Sequence, residues 1–145
     1  MAKTSDSIEI ELSPEDTWAA VSDLSRFPEW LVLHDDWRSD VPAPDELGEG
    51  TEVSSIVTAK GTRVRFNWVV DVYEPSTRVR LSGQGKGGVK VKLDLTVAPS
   101  GSGSVVTFTI DLGGVAMFGP AGKAAAKVVS GDLQKSLANF RDVFC

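Results

Sequence analysis

Few side chains in this sequence have the chemistry of an acid, base, nucleophile or metal ligand, and they do not cluster. His34 is the single histidine, and Asp35 and Asp36 follow it directly. Metal ligands must converge on one point from one face, and neighbouring residues of an extended chain point apart, so no metal site is expected here. As a general base, His34 would have to point into an enclosed space; the other reading is a surface loop. Cys145 is the lone cysteine, so the fold cannot depend on an internal disulfide. No Ser–His–Asp or Cys–His arrangement can be assembled.

Gly83, Gln84, Gly85, Lys86, Gly87 and Gly88 spell G-x-G-x-x-G. That fingerprint requires a helix after the glycines, whereas VKVKLDLTV follows, which alternates like a strand. The glycines read instead as a flexible hairpin. Gly119 to Lys123 lacks the spacing and the hydroxyl of a phosphate loop and reads as a helix start. No cofactor is expected, and the balance leans away from an enzyme.

The elements that would position these residues follow from periodicity. In Ser7 to Leu12, Ile8, Ile10 and Leu12 share one face, which is the pattern of a half-buried strand. Ser13 is a good N-cap and Pro14 suits a first helical position, predicting a short helix to about Ser22 with Trp18 and Val21 on one side. Asp23 to Trp30 is irregular or a second short helix, and a short strand fits near Leu33 to Ser39. The stretch from Thr51 to Leu112 divides into strands 51–59, 62–73, 78–83, 89–97 and 104–112. Turns this short make the strands antiparallel neighbours. Val64, Phe66, Trp68, Val70 and Val72 are assigned to one face of their strand, Val89 to Val97 and Val106 to Leu112 alternate likewise, and each strand has one dry and one wet face. Asp71, Asp94 and Asp111 fall on the wet side.

The tail, from about Phe118 to Phe144, is the one long helical candidate. Val128, Val129, Leu133, Leu137, Phe140 and Phe144 recur at helical spacing, and some 25 residues make a rod of roughly 37 Å. Gly131 inside it reads as a site of close helix–sheet packing.

Composition narrows the function classes. The 145 residues are 41 % hydrophobic and carry a formal net charge of −5, enough for a core and poorly suited to binding nucleic acid through bulk charge; no DNA partner is expected. Only the first few residues and the glycine-rich turns suggest disorder. The sequence shows no signal-peptide run and no membrane span, and a reducing cytoplasm is the default setting. One domain over 1–145 is expected.

The order of elements, strand, two short helices, meander, long helix, resembles the START-like, or SRPBCC, helix-grip superfamily. SIEIELSPEDTWAAVSDLSRFPEW is similar to its opening, DVYEPSTRVRLSG to its central turn and SLANFRDVF to its closing helix. The resemblance implies an α+β fold in which a curved antiparallel sheet of six to seven strands wraps a long C-terminal helix, with two short helices after the first strand. WLVLHDDWRS, GGVKVKL and LGGVAMFGPAG are similar to a bacterial polyketide cyclase/dehydrase-like branch, some of whose members are described as toxins of type II toxin–antitoxin pairs.

In such a fold the inner sheet face and the helix enclose either a ligand-sized cavity or a filled core. The expected cavity lining from the sheet is Val53, Val57, Phe66, Trp68, Leu81, Leu93, Phe108 and Ile110, joined by Trp37, Phe118, Ala125 and Val129. The indole N–H of Trp68 or Trp37 is the candidate to orient a ligand, the other reading of each being plain core packing. Residues 112–119 read as either a gate beside the cavity or an ordinary connection. With acids and bases on the wet face, the interior is better suited to holding an apolar small molecule or lipid than to reacting with it. Two alternatives stand beside this. One is a toxin acting on a protein partner (antitoxin-like) or RNA through a basic outer patch of Arg63, Arg65, Arg78, Arg80, Lys90 and Lys92, which otherwise form cross-strand ion pairs. The other is a cyclase or dehydratase, for which His34 is the one residue to nominate.

Overall fold

A computed structural model describes the backbone of residues 2–32, 34–42, 46–59, 62–75, 77–85, 89–114 and 120–144, with side chains for these positions except 2, 59, 62, 114, 120–126 and 128. In chain order the elements are β1 (Ala2–Ile10), α1 (Pro14–Val21), a 3-10 turn (Leu24–Arg26), α2 (Phe27–Trp30), β2 (His34–Trp37), β3 (Glu52–Ala59), β4 (Thr62–Glu74), β5 (Arg78–Gly85), β6 (Val89–Ser100), β7 (Gly103–Gly114) and α3 (Pro120–Phe144). Among the described residues the strands form one seven-stranded antiparallel sheet in the order β1-β7-β6-β5-β4-β3-β2. It is a curled half-barrel closed along one side by α3, the helix-grip arrangement.

The chain's first residues are more ordered than expected. β1 begins at Ala2, opposite Leu112, and runs to Ile10, opposite Ser104. The polar segment 3–7 is held by its ladder to β7 and by hydroxyl pairs, Ser5 with Thr109 and Ser7 with Thr107, each at 2.9 Å. Cross-strand Ser/Thr pairs of this kind add to the ladder. α1 begins as the cap predicts, with Ser13 Oγ accepting the Asp16 amide at 3.1 Å. It buries Trp18 and Val21.

One expectation about parity fails within β4. Val70 pairs with Leu81, but Val72 pairs with Arg80, so Asp71 is an extra residue in the ladder. Such a bulge shifts every later side chain to the other face. Val72 therefore sits opposite the outward Arg80, and Tyr73 turns inward opposite Val79. Its ring lies 5.8 Å from that of Trp18. The bulge is pinned by Asp71, whose two oxygens accept Arg80 Nε at 2.9 Å and Ser82 Oγ at 2.5 Å.

α3 packs along β1 and β7 and against α2. Val129, Leu133, Leu137 and Phe140 are its buried stripe. Ser136 ties it to the chain after α2: its Oγ accepts the Val32 amide at 2.9 Å and donates to the Asp132 carbonyl at 2.8 Å. Arg26 lies 4.3 Å over the Phe144 ring while bonding Glu29 at 2.7 and 2.9 Å. Gly131 does not pack against the sheet as expected. It is exposed, and a Cβ there would meet nothing within 4 Å.

Candidate ligand site

Most of the residues expected to line a cavity belong to the buried core. Val53, Phe66, Trp68, Leu81, Leu93, Phe108, Ile110 and Val129 are all buried in one apolar cluster, and Trp37 and Val57 are partly buried against it. Phe118 lies outside the described residues, as do 115–119 of the segment read as a gate, and the side chain of Ala125 is likewise not described. Leu112 and Gly113, at the start of that segment, belong to β7.

The glycine run does join two antiparallel neighbours, β5 and β6, with Gln84 opposite Lys90; positions 86–88 lie outside the described residues, and Gly83 and Gly85 belong to β5 itself. They are inward positions of β5, paired with Trp68 and Phe66 respectively. Each glycine gives its partner's ring a place to lie flat on the backbone. A Cβ at Gly85 would stand 2.8 Å from the Phe66 ring, and one at Gly83 would overlap the Trp68 ring outright. The two rings stack with centroids 5.3 Å apart and planes within 22°. The result is a smooth aromatic wall across β4 and β5. Sequence alternation assigned Phe66 and Trp68 to the inner face; their glycine partners become visible only with the register.

The expected orienting groups are already used. Trp68 Nε1 donates to Ser55 Oγ at 2.9 Å, and Trp37 Nε1 donates to the Leu24 carbonyl at 3.0 Å. Two other buried ring nitrogens, Trp30 Nε1 and His34 Nε2, have no partner among the described residues. Trp30 sits deep, 1 % exposed, edge-on to Phe140 at 5.1 Å and to Phe108 at 6.0 Å.

His34 overturns its surface-loop reading and is the ionisable exception on an inner face otherwise expected to be almost free of acids and bases. It opens β2 directly opposite Val57, which in turn faces Val64, so its side chain shares their inner face. Its ring lies 4.6 Å from that of Trp37 and 6.4 Å from that of Phe27. Burial pushes its pKa below 6.5, with Asp36 and Asp35 pulling the other way. Asp35 points to the outer face, where it binds Arg63 at 2.5 Å and Thr58 at 3.2 Å; the Arg63 bond holds its own pKa low. Asp36 pairs with Arg38 at 3.3 Å.

His34 also marks one end of the grip. At the far end α1 and Trp18 cover the sheet, and the inward side chains Val70, Val79 and Leu95 are 0 to 1 % exposed. At the His34 end the inward residues Val57, Val64 and Val89 are only partly buried.

On the outer face, three of the six basic residues are neutralised. Arg78 holds Asp94 at 3.0 and 2.6 Å, Arg80 holds Asp71 and Arg63 holds Asp35. Burial raises the Asp71 pKa, but Arg80 and Ser82 outweigh it and hold the carboxyl low. Arg65 reaches Ser54 at 3.4 Å. Lys90 and Lys92 are exposed and flank a hollow of about 560 Å³ whose walls include Asn67, Val69, Ser82 and Gln84. No group of three or more His, Cys, Asp or Glu gathers among the described residues. None of their helices is long and apolar enough to cross a membrane.

Comparison with known proteins agrees with this geometry. A family profile described as polyketide cyclase/dehydrase and lipid transport matches residues 1–144. Toxin Rv0910 of Mycobacterium tuberculosis is 46 % identical over 144 residues, covering 99 % of both chains. The uncharacterised protein Rv1546 of the same species is 44 % identical with the same coverage. Among solved structures, a START superfamily protein from Mycobacterium smegmatis superposes with a TM-score of 0.75 at 18 % identity, covering 100 % of each chain.

Proposed function

We propose that this chain, which belongs to the polyketide cyclase/dehydrase and lipid transport family, acts as one domain that holds an apolar small molecule or lipid between its sheet and α3. One observation carries the reading: at the His34 end of the grip, taken here as its mouth, the inward apolar side chains Val57, Val64 and Val89 remain partly exposed beside a buried His34 Nε2 that has no partner among the described residues. Apolar walls with a few convergent polar groups are the usual make-up of a ligand site. The Phe66–Trp68 wall behind the mouth adds a flat surface for rings or chains. A lone imidazole, with the carboxyls of Asp35 and Asp36 engaged by Arg63 and Arg38, supports holding over converting. A cytoplasmic setting belongs to this reading.

The test is saturable binding of N-phenyl-1-naphthylamine, followed by its fluorescence, with organic extraction of the purified protein to look for a carried ligand. Val64→Trp, which fills the mouth, is expected to abolish the signal. Absence of saturable binding by the folded wild type would count decisively against the reading.

A second reading, a toxin acting on a partner through the outer face, is favoured by the hollow beside Lys90 and Lys92 and by the name of Rv0910. Arg63, Arg65, Arg78 and Arg80 would border that surface. Induced expression is then expected to arrest growth, and Lys90→Glu with Lys92→Glu to relieve the arrest. Normal growth at high expression would reject it.

A further inference from the structure

Buried polar atoms in folded proteins nearly always have a partner, and an exception calls for an explanation. His34 Nε2 is such an exception. It is not sealed in a tight core: the side chains beside it on the inner face, Val57 and Val64, are partly buried, and Trp37 next to it is too. Trp30 Nε1, the other orphan, differs in this respect, because its indole is 1 % exposed and packed edge-on against aromatic rings.

We infer that His34 is the polar anchor of the ligand site, and that the ligand is an otherwise apolar molecule bearing a hydroxyl group that hydrogen-bonds Nε2 at the mouth. The inference rests on the ligand-holding reading above. A hydroxyl suits the site because it both donates and accepts, and so meets either tautomer of a neutral imidazole. A carboxylate only accepts, so it would meet a single tautomer, and it would carry an uncompensated charge into an apolar site. The charged neighbours do not compete for Nε2: Asp35 is turned to Arg63 and Thr58 on the outer face, and Asp36 is paired with Arg38. Its ring neighbours offer it no partner: the Trp37 N–H, a donor, is committed to the Leu24 carbonyl, and Phe27 has no polar side-chain atom.

The experiment compares 2-naphthol with its near-isostere 2-methylnaphthalene as competitors of N-phenyl-1-naphthylamine, in the wild type and in His34→Phe. The two compounds differ in their cost of leaving water, so the ratio of their affinities is compared between proteins. Losing His34 is expected to lower the naphthol-to-methylnaphthalene affinity ratio roughly five-fold, the scale of one hydrogen bond. Because the chain has one histidine, its imidazole nitrogen signals are assigned without ambiguity. Saturating 2-naphthol is expected to move the wild-type Nε2 resonance, and 2-methylnaphthalene to leave it in place. This arm needs no variant. An unchanged ratio, or equal nitrogen shifts from both compounds, would overturn the anchor while leaving the cavity standing. If N-phenyl-1-naphthylamine itself does not bind, the cavity falls and the anchor with it.

Discussion

Gly83 sits where almost any other residue would disturb Trp68. A Cβ there would be driven into the indole ring, so Gly83→Ala must displace the ring from the β5 backbone or bend the strand. Overpacking of this kind costs about 1–3 kcal/mol. The expected outcome is a lower urea midpoint together with a changed near-UV signal from the indole; an unaltered midpoint would show that the wall tolerates the methyl. His34 gives a second prediction at this scale. Burial lowers its pKa in the folded state, so on acidification the unfolded chain takes up the proton first. Stability from this group is complete above about 6.5 and declines as pH falls from there toward the folded pKa, by at most about 1.4 kcal/mol per pH unit. The stability difference between the wild type and His34→Phe, measured by urea titration at pH 7.5, 6.5 and 5.5, is expected to shrink as pH falls. A difference constant across that range would reject the linkage. From sequence alone His34 reads more readily as a surface loop, because what turns it inward is its pairing with Val57 across strands. Twenty-three residues separate the two in the chain, and no local pattern reports a contact of that span.

At the level of elements, alternation and capping read the fold well. Strand and helix order followed from local residues such as Ser13, Pro14 and the alternating run from Val89 to Val97, which are self-contained signals. The β4 bulge was hidden because Asp71 is an extra residue only relative to β5, and Val72 continues the apolar alternation that Tyr73 takes over in space. Gly131 was misjudged for a related reason: a glycine in a helix marks close approach or nothing, and only the packing direction of α3 decides. Since Gly131 is exposed with open space around it, Gly131→Ala is expected to raise stability by roughly 0.5–1 kcal/mol through helix propensity. A loss of stability would mean that α3 needs flexibility at that turn. Ser136→Ala should act in the opposite sense. It leaves the Val32 amide without its partner across the α2–α3 contact, a loss of about 1–3 kcal/mol, read most directly as faster hydrogen exchange at Val32.

The whole molecule presents two faces with different physics, and one measurement separates them. The outer face is partly self-neutralised by Arg78–Asp94, Arg80–Asp71 and Arg63–Asp35; of the six basic residues this leaves Arg65, which reaches the Ser54 hydroxyl, and Lys90 and Lys92 beside an open hollow. The inner face is apolar, continuous with the core and less fully buried at the His34 end. A molecule held inside binds only the folded chain, so it must stabilise by mass action. At a hundred-fold excess over its dissociation constant the gain is about 2.7 kcal/mol, which for a chain near this size is a rise of roughly 5–10 °C in Tm. N-phenyl-1-naphthylamine at saturation is therefore expected to produce such a rise in the wild type. Lys90→Glu with Lys92→Glu should leave the rise intact, because those side chains stand on the outer face, opposite in parity to Val89 and Val91. Val64→Trp should suppress it, because the mouth is then filled. The reverse pattern, a rise lost with the lysines and kept in Val64→Trp, would move the ligand to the outer hollow and with it the protein's point of action.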